Sequence, residues 1–502
     1  MDLIKINEPG LLFKYGQSME DPRDGLTLFG PLDEGKPYGI RAGVIGTKDG
    51  IKRYKNWVRK IQGPITSSKG RTARPSFPGI EAAFRIPWGP EPPIAIEISE
   101  VELNAALYLD DKYQRVFKTV DVYARRIIEA IRQEDTKVDL WFVVIPDEVK
   151  RYCRPMSSVE SGLQIVAQSK LPVAYAKSLQ SAPSLFEEHN IAAVPYAYEV
   201  NFHNQLKARL LEYDAPIQIL QESTIAHREF LNKFGLPKRN LDELESAIAW
   251  NITTTAFYKA GGRPWKIGSI RDGVCYVGLV FKQDDKNAEP GSSCCAAQMF
   301  LDSGDGVVFK GAVGPWYRPG KGGFHLKKEA ARELIQLAIN SYAQKQGAPP
   351  KELFLHGKVR FNDEEWEGFQ SGVGSLTNLV GVRIRDTADI KLFRKGKHPV
   401  LRGVAFVRDD RTAFVWTKGF TPRLQTYPGR EVPKPLLVDV CRGKVPIETV
   451  LNDIMALTKL NYNACIFADG EPVTLKFADS VGEILTAGPL RELPPLPFKY
   501  YI

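Results

Sequence analysis

Cysteines that could form a zinc site are missing from this sequence. Its 502 residues include six cysteines, none of them in a C-x-x-C pair, and two of them are adjacent. A structural zinc site needs thiolates in closely spaced pairs, so we do not expect one here. Cys275 and Cys465 lie in apolar stretches and are predicted to be small core residues. The scattered cysteines are typical of a protein from a reducing compartment.

Long apolar runs and a secretion signal are also missing. No apolar stretch reaches the roughly 20 residues that span a bilayer, and the N-terminus, MDLIKINEPG, has neither the basic start nor the apolar stretch of a signal peptide. We therefore expect a cytoplasmic protein without membrane contact. The 68 basic and 59 acidic residues leave a net charge of +9, which permits a polyanionic partner without requiring one.

Apolar patterning divides the chain into two regions. Up to about residue 265, strands alternate with helices, and the continuous run VDLWFVVIP (138–146) is typical of a strand buried on both faces of a parallel sheet. This pattern predicts an open, Rossmann-like α/β domain at 37–265, preceded by a turn-rich segment at 1–36. At 266–502 the predicted order is three antiparallel strands, then helix, strand, helix and strand, which is the order of the ribonuclease H-like fold.

Several polar residues of the first region have a spacing that suits an anion. His203 and Lys207 lie four residues apart in NFHNQLKARLLEY, so both fall on one face of a predicted helix. Gln218, on the next predicted strand, can donate an amide hydrogen bond. Lys259 precedes a glycine pair that ends another predicted helix and adds a second charge, and Asn251 lies two turns before it. Each feature alone is also typical of a solvated helix surface or of a lysine that interacts with the helix macrodipole.

Together these residues resemble the guide 5′-phosphate pocket of Argonaute MID domains, with His203 in place of a common Tyr. The stretch TKLNYNACIFADGEPVTLKFADSVGEIL (458–485) and the tail LPPLPFKYYI resemble the end of PIWI domains. The segment at 6–33 resembles the part of prokaryotic Argonautes that precedes the MID domain. No PAZ-like segment is visible, so the resemblance covers nearly the whole chain as MID plus PIWI. It is most similar to the short Argonautes of SPARTA systems, which work with a TIR-APAZ protein.

The resemblance implies a division of the chain and a set of partners. Residues 1–36 would pack with the MID domain, 37–265 would form that domain and bind the 5′ phosphate of a guide RNA, and 266–502 would form the PIWI domain. The C-terminal carboxylate of Ile502 would hold a Mg²⁺ ion together with the guide phosphate. Pairing with single-stranded target DNA would activate the NAD-consuming TIR-APAZ partner of a heterodimer, which would assemble into a tetramer of heterodimers in defence against plasmids or phages.

Carboxylates are missing at the nuclease positions that the resemblance identifies. Ribonuclease H-like nucleases hold two Mg²⁺ ions with clustered carboxylates, because Mg²⁺ prefers oxygen ligands. Here the first strand carries Val280, the fourth strand carries Gly357, and the last helix carries Lys476. None of these side chains binds Mg²⁺. We therefore expect a catalytically inactive PIWI domain and no enzyme activity in this chain.

Three other functions stay open at this point. A guided nuclease with residual activity would need other carboxylates, for which Asp302, Asp305 and Asp479 are candidates. The acidic cluster at 363–365 is more typical of a helix start, which Asn362 can cap. A nucleotide-using enzyme would need a glycine-rich phosphate loop, and GVIGTKDG (43–50) follows a predicted strand but lacks the spacing of G-x-G-x-x-G. A protein-interaction scaffold would bind no guide at all.

Overall fold

The structure of the protein is a computed structural model that describes most of the chain. The structure describes residues 2–67, 72–133, 137–283, 292–301, 306–315, 325–427, 429–489 and 494–502. None of the helices in these ranges is both long and apolar enough to cross a bilayer.

The N-terminal segment contacts both regions of the chain. Its first strand pairs antiparallel with residues 404–407, its second pairs with residues 266–267, and its helix packs against residues 80–84. The segment at 1–36 therefore packs against the first region and also pairs with strands of the second region. The elements are β1 (Asp2–Lys5), β2 (Leu11–Leu12), β3 (Ser18–Met19) and α1 (Pro22–Phe29).

The first region contains a parallel four-stranded sheet. Its strands are β4 (Ala42–Gly46), β5 (Ile94–Glu97), β6 (Leu140–Ile145) and β7 (Ile217–Gln221). They are ordered β5-β4-β6-β7, and every pair is parallel. All residues of β6 are buried, as its continuous apolar run predicts. The predicted Rossmann-like α/β arrangement is confirmed.

Helices connect and cover these strands. The helix α11 (Glu245–Lys259) is the most buried of the long ones. Gly261, just beyond its end, has a φ of +100°, which favours glycine. The helices are α2 (Lys48–Lys60), α3 (Ile80–Phe84), α4 (Glu100–Leu107), α5 (Lys112–Gln133), α6 (Asp147–Tyr152), α7 (Val173–Ser181), α8 (Glu187–Ala193), α9 (Phe202–Leu210), α10 (Glu222–Ile225) and α11 (Glu245–Lys259).

The second region forms a ten-stranded sheet. Its strands, besides β1, are β9 (Val274–Gln283), β10 (Ser292–Leu301), β11 (Gly306–Pro315), β12 (Glu352–Gly357), β13 (Asn378–Asp386), β14 (Val404–Asp409), β15 (Thr412–Val415), β16 (Leu436–Arg442) and β17 (Leu496–Pro497); β8 (Lys266–Ile267) pairs with β2 instead. The order is β1-β14-β15-β16-β13-β12-β9-β10-β11-β17.

The strand directions in this sheet are those of a ribonuclease H-like fold. Strands β9, β10 and β11 are antiparallel, whereas β12 is parallel to β9 and β13 is parallel to β12. The predicted order is therefore confirmed. The extension by β14, β15 and β16 was not predicted. The helices of this region are α12 (Lys328–Gln346), α13 (Asp363–Gly372), α14 (Ile447–Leu457), α15 (Val473–Lys476) and α16 (Ala478–Leu485).

A shared apolar core joins the two regions. One cluster of buried residues contains side chains from both sheets, such as Phe142 on β6 and Val438 on β16, together with much of α11. Tyr501 and Ile502 belong to the same cluster and are 3% and 4% exposed. The end of the chain is therefore packed beside α9 and α11 of the first region.

Candidate guide-binding site

Helix α9 places the first two predicted residues at one edge of the parallel sheet. It begins after Asn201, whose side chain accepts hydrogen bonds from the backbone N–H groups of His203 and Asn204 at 3.1 and 3.4 Å. This cap fixes the N-terminus of the helix. Because Lys207 lies one turn beyond His203, it points the same way but lies deeper in the protein, where it is 5% exposed.

Lys207 is buried against the end of the chain. Its Nζ donates to the main-chain oxygen of Tyr501 at 3.0 Å. Burial lowers the pKa of Lys207 to about 7, because an ammonium group loses its hydration inside the protein.

Lys259 is buried completely and joins three oxygens. Its Nζ donates to the main-chain oxygen of Ile217 at 2.6 Å, to Gln218 Oε1 at 2.9 Å, and to an oxygen of the terminal carboxylate of Ile502 at 2.5 Å. Burial, followed by the positive charge of Lys207, lowers the pKa of Lys259 far below its ordinary value. Among the described residues, no Asp or Glu side chain offsets either ammonium group, and the terminal carboxylate of Ile502 contacts Lys259. Two buried ammonium groups beside one carboxylate leave an excess of positive charge, which a further anion would stabilise.

A cavity of about 660 Å³ opens beside the two lysines, at the carboxyl ends of β6 and β7. Ligands of parallel sheets commonly bind at this edge. Three of the predicted residues line the cavity, namely His203, Gln218 and Asn251. Lys207 and Lys259 are not part of its wall. Lys259 contacts the side-chain oxygen of Gln218, and the positive charge of Lys207 acts on His203. The structure thus brings all five predicted residues to one place.

His203 lies at the mouth of the cavity with its ring accessible to solvent. Its Nδ1 is 3.0 Å from Asn204 Oδ1. Crowding by protein atoms, followed by the positive charge of Lys207, lowers the pKa of His203 below its ordinary value. The ring is therefore neutral at pH 7 and offers a stacking face or a hydrogen bond rather than a positive charge.

Asn251 has a second contact that the sequence did not indicate. Its Oδ1 accepts a hydrogen bond from the backbone N–H of Cys465 at 2.8 Å. The residue therefore links α11 to the segment before α15 and presents only its remaining atoms to the cavity.

Two basic residues of the cavity wall, Lys150 and Arg154, were missed by the sequence analysis. Lys150 Nζ donates to Gln221 Oε1 at 3.0 Å, and burial together with Arg154 and Arg239 lowers the pKa of Lys150. Both residues follow β6 in DEVKRYCR, at the strand end where parallel sheets bind ligands. Their position after the apolar run was the signal that could have identified them.

An ammonium group lies among the oxygens where the resemblance implies a magnesium ion. The terminal carboxylate of Ile502, the side-chain oxygen of Gln218 and the main-chain oxygen of Ile217 all accept from Lys259 Nζ. Mg²⁺ would have to displace this ammonium group and lie beside two buried lysines with one carboxylate to offset the repulsion. This arrangement disfavours Mg²⁺ at these oxygens and suits an anion near the ammonium groups.

Comparison with solved structures places this geometry in a known fold. Clostridium butyricum Argonaute, bound to a guide DNA with 5′ deoxycytidine and a 19-mer target DNA, matches with a TM-score of 0.64 and 16% identity, over 97% of this chain and 53% of that one. The fold is that of Argonaute MID and PIWI domains. Drosophila Piwi matches with a TM-score of 0.58 and 12% identity, over 99% of this chain and 56% of that one.

A third match is the crystal structure of A. aeolicus Argonaute, with a TM-score of 0.52 and 15% identity, over 98% of this chain and 54% of that one. The chain therefore spans about half the length of these structures. No protein-family model and no curated protein matches it. At these identities the likeness defines the fold, and the MID-PIWI arrangement predicted from the sequence is confirmed.

The predicted nuclease positions lie at or near one edge of the PIWI sheet. Val280 belongs to β9, opposite Ala296 of β10, and its side chain lies outside the described part of the structure. Gly357 is the last residue of β12. Lys476 ends α15, with Nζ 3.6 Å from Asp469 Oδ1. Within the described ranges, no three His, Cys, Asp or Glu residues are grouped so that they could hold a metal ion.

The other carboxylates considered near this edge have structural partners or are not described. Asp479 Oδ2 accepts from Lys358 Nζ at 2.9 Å. The acidic cluster at 363–365 begins α13, where Asn362 Oδ1 accepts from the backbone N–H of Glu365, which is the predicted cap. Asp302 and Asp305 lie outside the described residues.

The glycine run at 43–50 does not form a phosphate loop. Thr47 caps α2, and its hydroxyl donates to Glu222 Oε1 at 3.2 Å. A Cβ atom at Gly50 would lie 2.8 Å from the same oxygen, so a carboxylate occupies the helix N-terminus. A nucleotide phosphate would be repelled there, which disfavours the nucleotide-using enzyme.

Proposed function

We propose that this chain binds a 5′-phosphorylated guide strand and uses it to recognise a complementary strand. The observation that carries the proposal is the pair of buried lysines, Lys207 and Lys259, which meet without a carboxylate side chain beside the cavity in an Argonaute fold. A terminal phosphate would offset the positive charge that remains beyond the single terminal carboxylate of Ile502, which contacts Lys259. Charge-assisted hydrogen bonds to phosphate are the strong ones in proteins, so the phosphate would anchor the strand.

The cavity would hold the first nucleotide of the guide. Gln218 and Asn251 can hydrogen-bond its polar groups, the neutral ring of His203 can stack or donate, and Lys150 and Arg154 can contact the backbone beyond it. The protein would thus bind the end and backbone of the strand, whereas base pairing would read the sequence.

The finer assignment rests on the sequence resemblance to short Argonautes of SPARTA systems. On this proposal the guide is RNA, the target is single-stranded DNA, and the PIWI domain does not cut. Target pairing would activate an associated TIR-APAZ NADase in prokaryotic defence, in a heterodimer that forms a tetramer of heterodimers. The residues Val280, Gly357 and Lys476 support the lack of cleavage, because none of them offers a carboxylate for Mg²⁺.

Binding of matched oligonucleotides tests the proposal. RNA and DNA strands of one sequence, with a 5′ phosphate or a 5′ hydroxyl, are compared by fluorescence anisotropy against the wild type and the double variant Lys207→Met, Lys259→Met. We expect a preference of at least about tenfold for the phosphate in the wild type, since a hydrogen bond to a charged group contributes about 1.5–3 kcal/mol, and none in the variant. Equal affinity of the wild type for both ends would contradict the proposed site.

A cleavage assay addresses the second part of the proposal. The chain is loaded with a guide, mixed with a labelled complementary strand and given Mg²⁺ or Mn²⁺. We expect an intact target strand, and a product whose position follows the guide would show residual nuclease activity instead.

A further inference from the structure

A loop of the PIWI region carries an unusual excess of positive charge. The segment IKLFRKGKH (390–398), here called the basic loop, connects β13 to β14 and contains no acidic residue. Its four lysine and arginine side chains are exposed, and none has a hydrogen bond or an ion pair within the described part of the chain. They are Lys391, Arg394, Lys395 and Lys397.

The basic loop is anchored, so its charges are held in place. Ile390 and Leu392 pack against a small core cluster that includes Trp416. At the other end, the ring of His398 stacks on Phe420 with 4.1 Å between the centroids. Four like charges therefore face solvent on a fixed support, and their mutual repulsion is offset by no neighbouring carboxylate within the loop.

Phe393 is the second unusual feature of the basic loop. It follows the anchor Leu392 and directly precedes Arg394, yet 73% of it is exposed. An exposed aromatic ring among free cations is the arrangement that single-stranded nucleic acids bind, because phosphates contact the cations and an unpaired base stacks on the ring.

The position of the basic loop makes it continuous with a larger basic surface. The loop follows β13 at the edge of the sheet where β12 also ends, and Phe420 N–H donates to the main-chain oxygen of Val400 just beyond the loop, at 2.8 Å. Both neighbours of Phe420 line a cavity of about 850 Å³ whose wall includes Arg74 and Lys418. The positive surface therefore extends from the loop into this cavity.

We propose that the basic loop binds single-stranded nucleic acid, with its four cations on successive phosphates and Phe393 stacked on a base. This contact deepens the proposed function and rests on it, because it gives the same chain a second hold on a strand away from the buried lysines. Binding at the basic loop does not need a 5′ phosphate. An experiment can therefore separate this contact from the one at Lys207 and Lys259.

The charge part of the proposal is tested with a 30-nucleotide oligo-dT that has a 5′ hydroxyl. A loop variant replaces the four cations with alanine, and a matched variant removes the same charge from four exposed lysines elsewhere; the matched set is Lys52, Lys118, Lys327 and Lys345. Each phosphate contact of a single strand contributes about 0.7 to the slope of log affinity against log salt. We expect the loop variant to reduce this slope by about 2 to 3 and to weaken binding at least about tenfold at low salt, with a much smaller effect of the matched set.

The stacking part is tested with Phe393→Ala and Phe393→Trp on full-base and abasic strands of equal length. Stacking of one base contributes on the order of 1–3 kcal/mol, or about tenfold in affinity. We expect Phe393→Ala to weaken binding of the full-base strand, Phe393→Trp to retain it, and neither to change binding of the abasic strand. The exposed Phe186→Ala serves as the control.

The outcomes separate this proposal from the guide-binding one. A loop variant that weakens hydroxyl and phosphate strands by the same factor supports the basic loop and leaves the phosphate preference intact. A loop variant that binds the oligonucleotide as well as the matched variant overturns the proposal and points to an acidic protein as the occupant. Loss of phosphate preference in the wild type, with the loop effect retained, would reject the lysine site alone.

Discussion

Replacing Lys207 with methionine should make the unliganded protein more stable while it removes the phosphate preference. Lys207 is buried, and within the described part of the chain its Nζ has a single hydrogen bond, to the main-chain oxygen of Tyr501. Methionine has a similar length and no charge. The substitution therefore removes a buried ammonium group and leaves the packing nearly unchanged.

The gain in stability follows from proton binding. An ordinary lysine has a pKa of 10.5, and burial lowers that of Lys207 to about 7. A tenfold change in proton affinity corresponds to about 1.4 kcal/mol, so at pH 7 the lysine destabilises the folded state by about 4 kcal/mol relative to a neutral side chain. The lost hydrogen bond offsets about 1 kcal/mol. We therefore expect Lys207→Met to raise the free energy of unfolding by about 3 kcal/mol.

The pH dependence checks the sign of this reasoning. Between about pH 7 and 10.5 the unfolded chain binds more protons at this residue than the folded chain, so the stability of the wild type rises with pH. The advantage of the methionine variant should thus fall to about 1 kcal/mol at pH 9. Urea denaturation followed by tryptophan fluorescence measures both values, with the exposed Lys118→Met as the control. A variant that is less stable than the wild type at pH 7, or an advantage that does not shrink at pH 9, would refute the argument.

Three further predictions follow from the same geometry. Because only protonated lysines attract phosphate, affinity for a 5′-phosphorylated strand should fall up to about tenfold per pH unit above pH 7, while that for a 5′-hydroxyl strand stays nearly constant in anisotropy measurements. Chelation with EDTA should leave phosphate-dependent affinity unchanged, since an ammonium group occupies the cation position; a loss of affinity would restore magnesium to the site. Glu8→Gln should lower the free energy of unfolding by about 3–5 kcal/mol, because buried Arg402 and Lys459 lose their carboxylate, whereas exposed Glu81→Gln should have no effect in urea denaturation.

Elements with a strong local pattern could be predicted from the sequence. The run LWFVVI is apolar throughout and forms β6, buried on both faces. Helix α11 was predicted to end at a glycine pair, and Gly261 has the positive φ that such an end requires. The same holds for α13, which begins at its predicted cap, Asn362. In each case a few adjacent residues determine the conformation.

Features that depend on distant parts of the chain were not predictable in the same way. The pairing of β1 with β14 joins residues about 400 positions apart, and nothing local in DLIK indicates its partner. Sequence spacing placed His203 and Lys207 on one helix face but did not show that Lys207 is buried and His203 exposed. That difference arises because Tyr501 and Ile502 pack over the deeper turn of α9 and against α11.

The two nucleic-acid contacts proposed here imply where sequence specificity would come from. The lysine site suits a terminal phosphate, and the basic loop suits internal phosphates and the face of any base, so neither reads a base edge. A strand held at both places would keep its base edges available for pairing with a second strand. Affinity for a single strand should therefore vary little with sequence, and discrimination among targets should appear only once a guide is bound. On the proposed function, recognition would need these two contacts and not the chemistry of cleavage, so it would not depend on a carboxylate cluster, and none is found among the described residues.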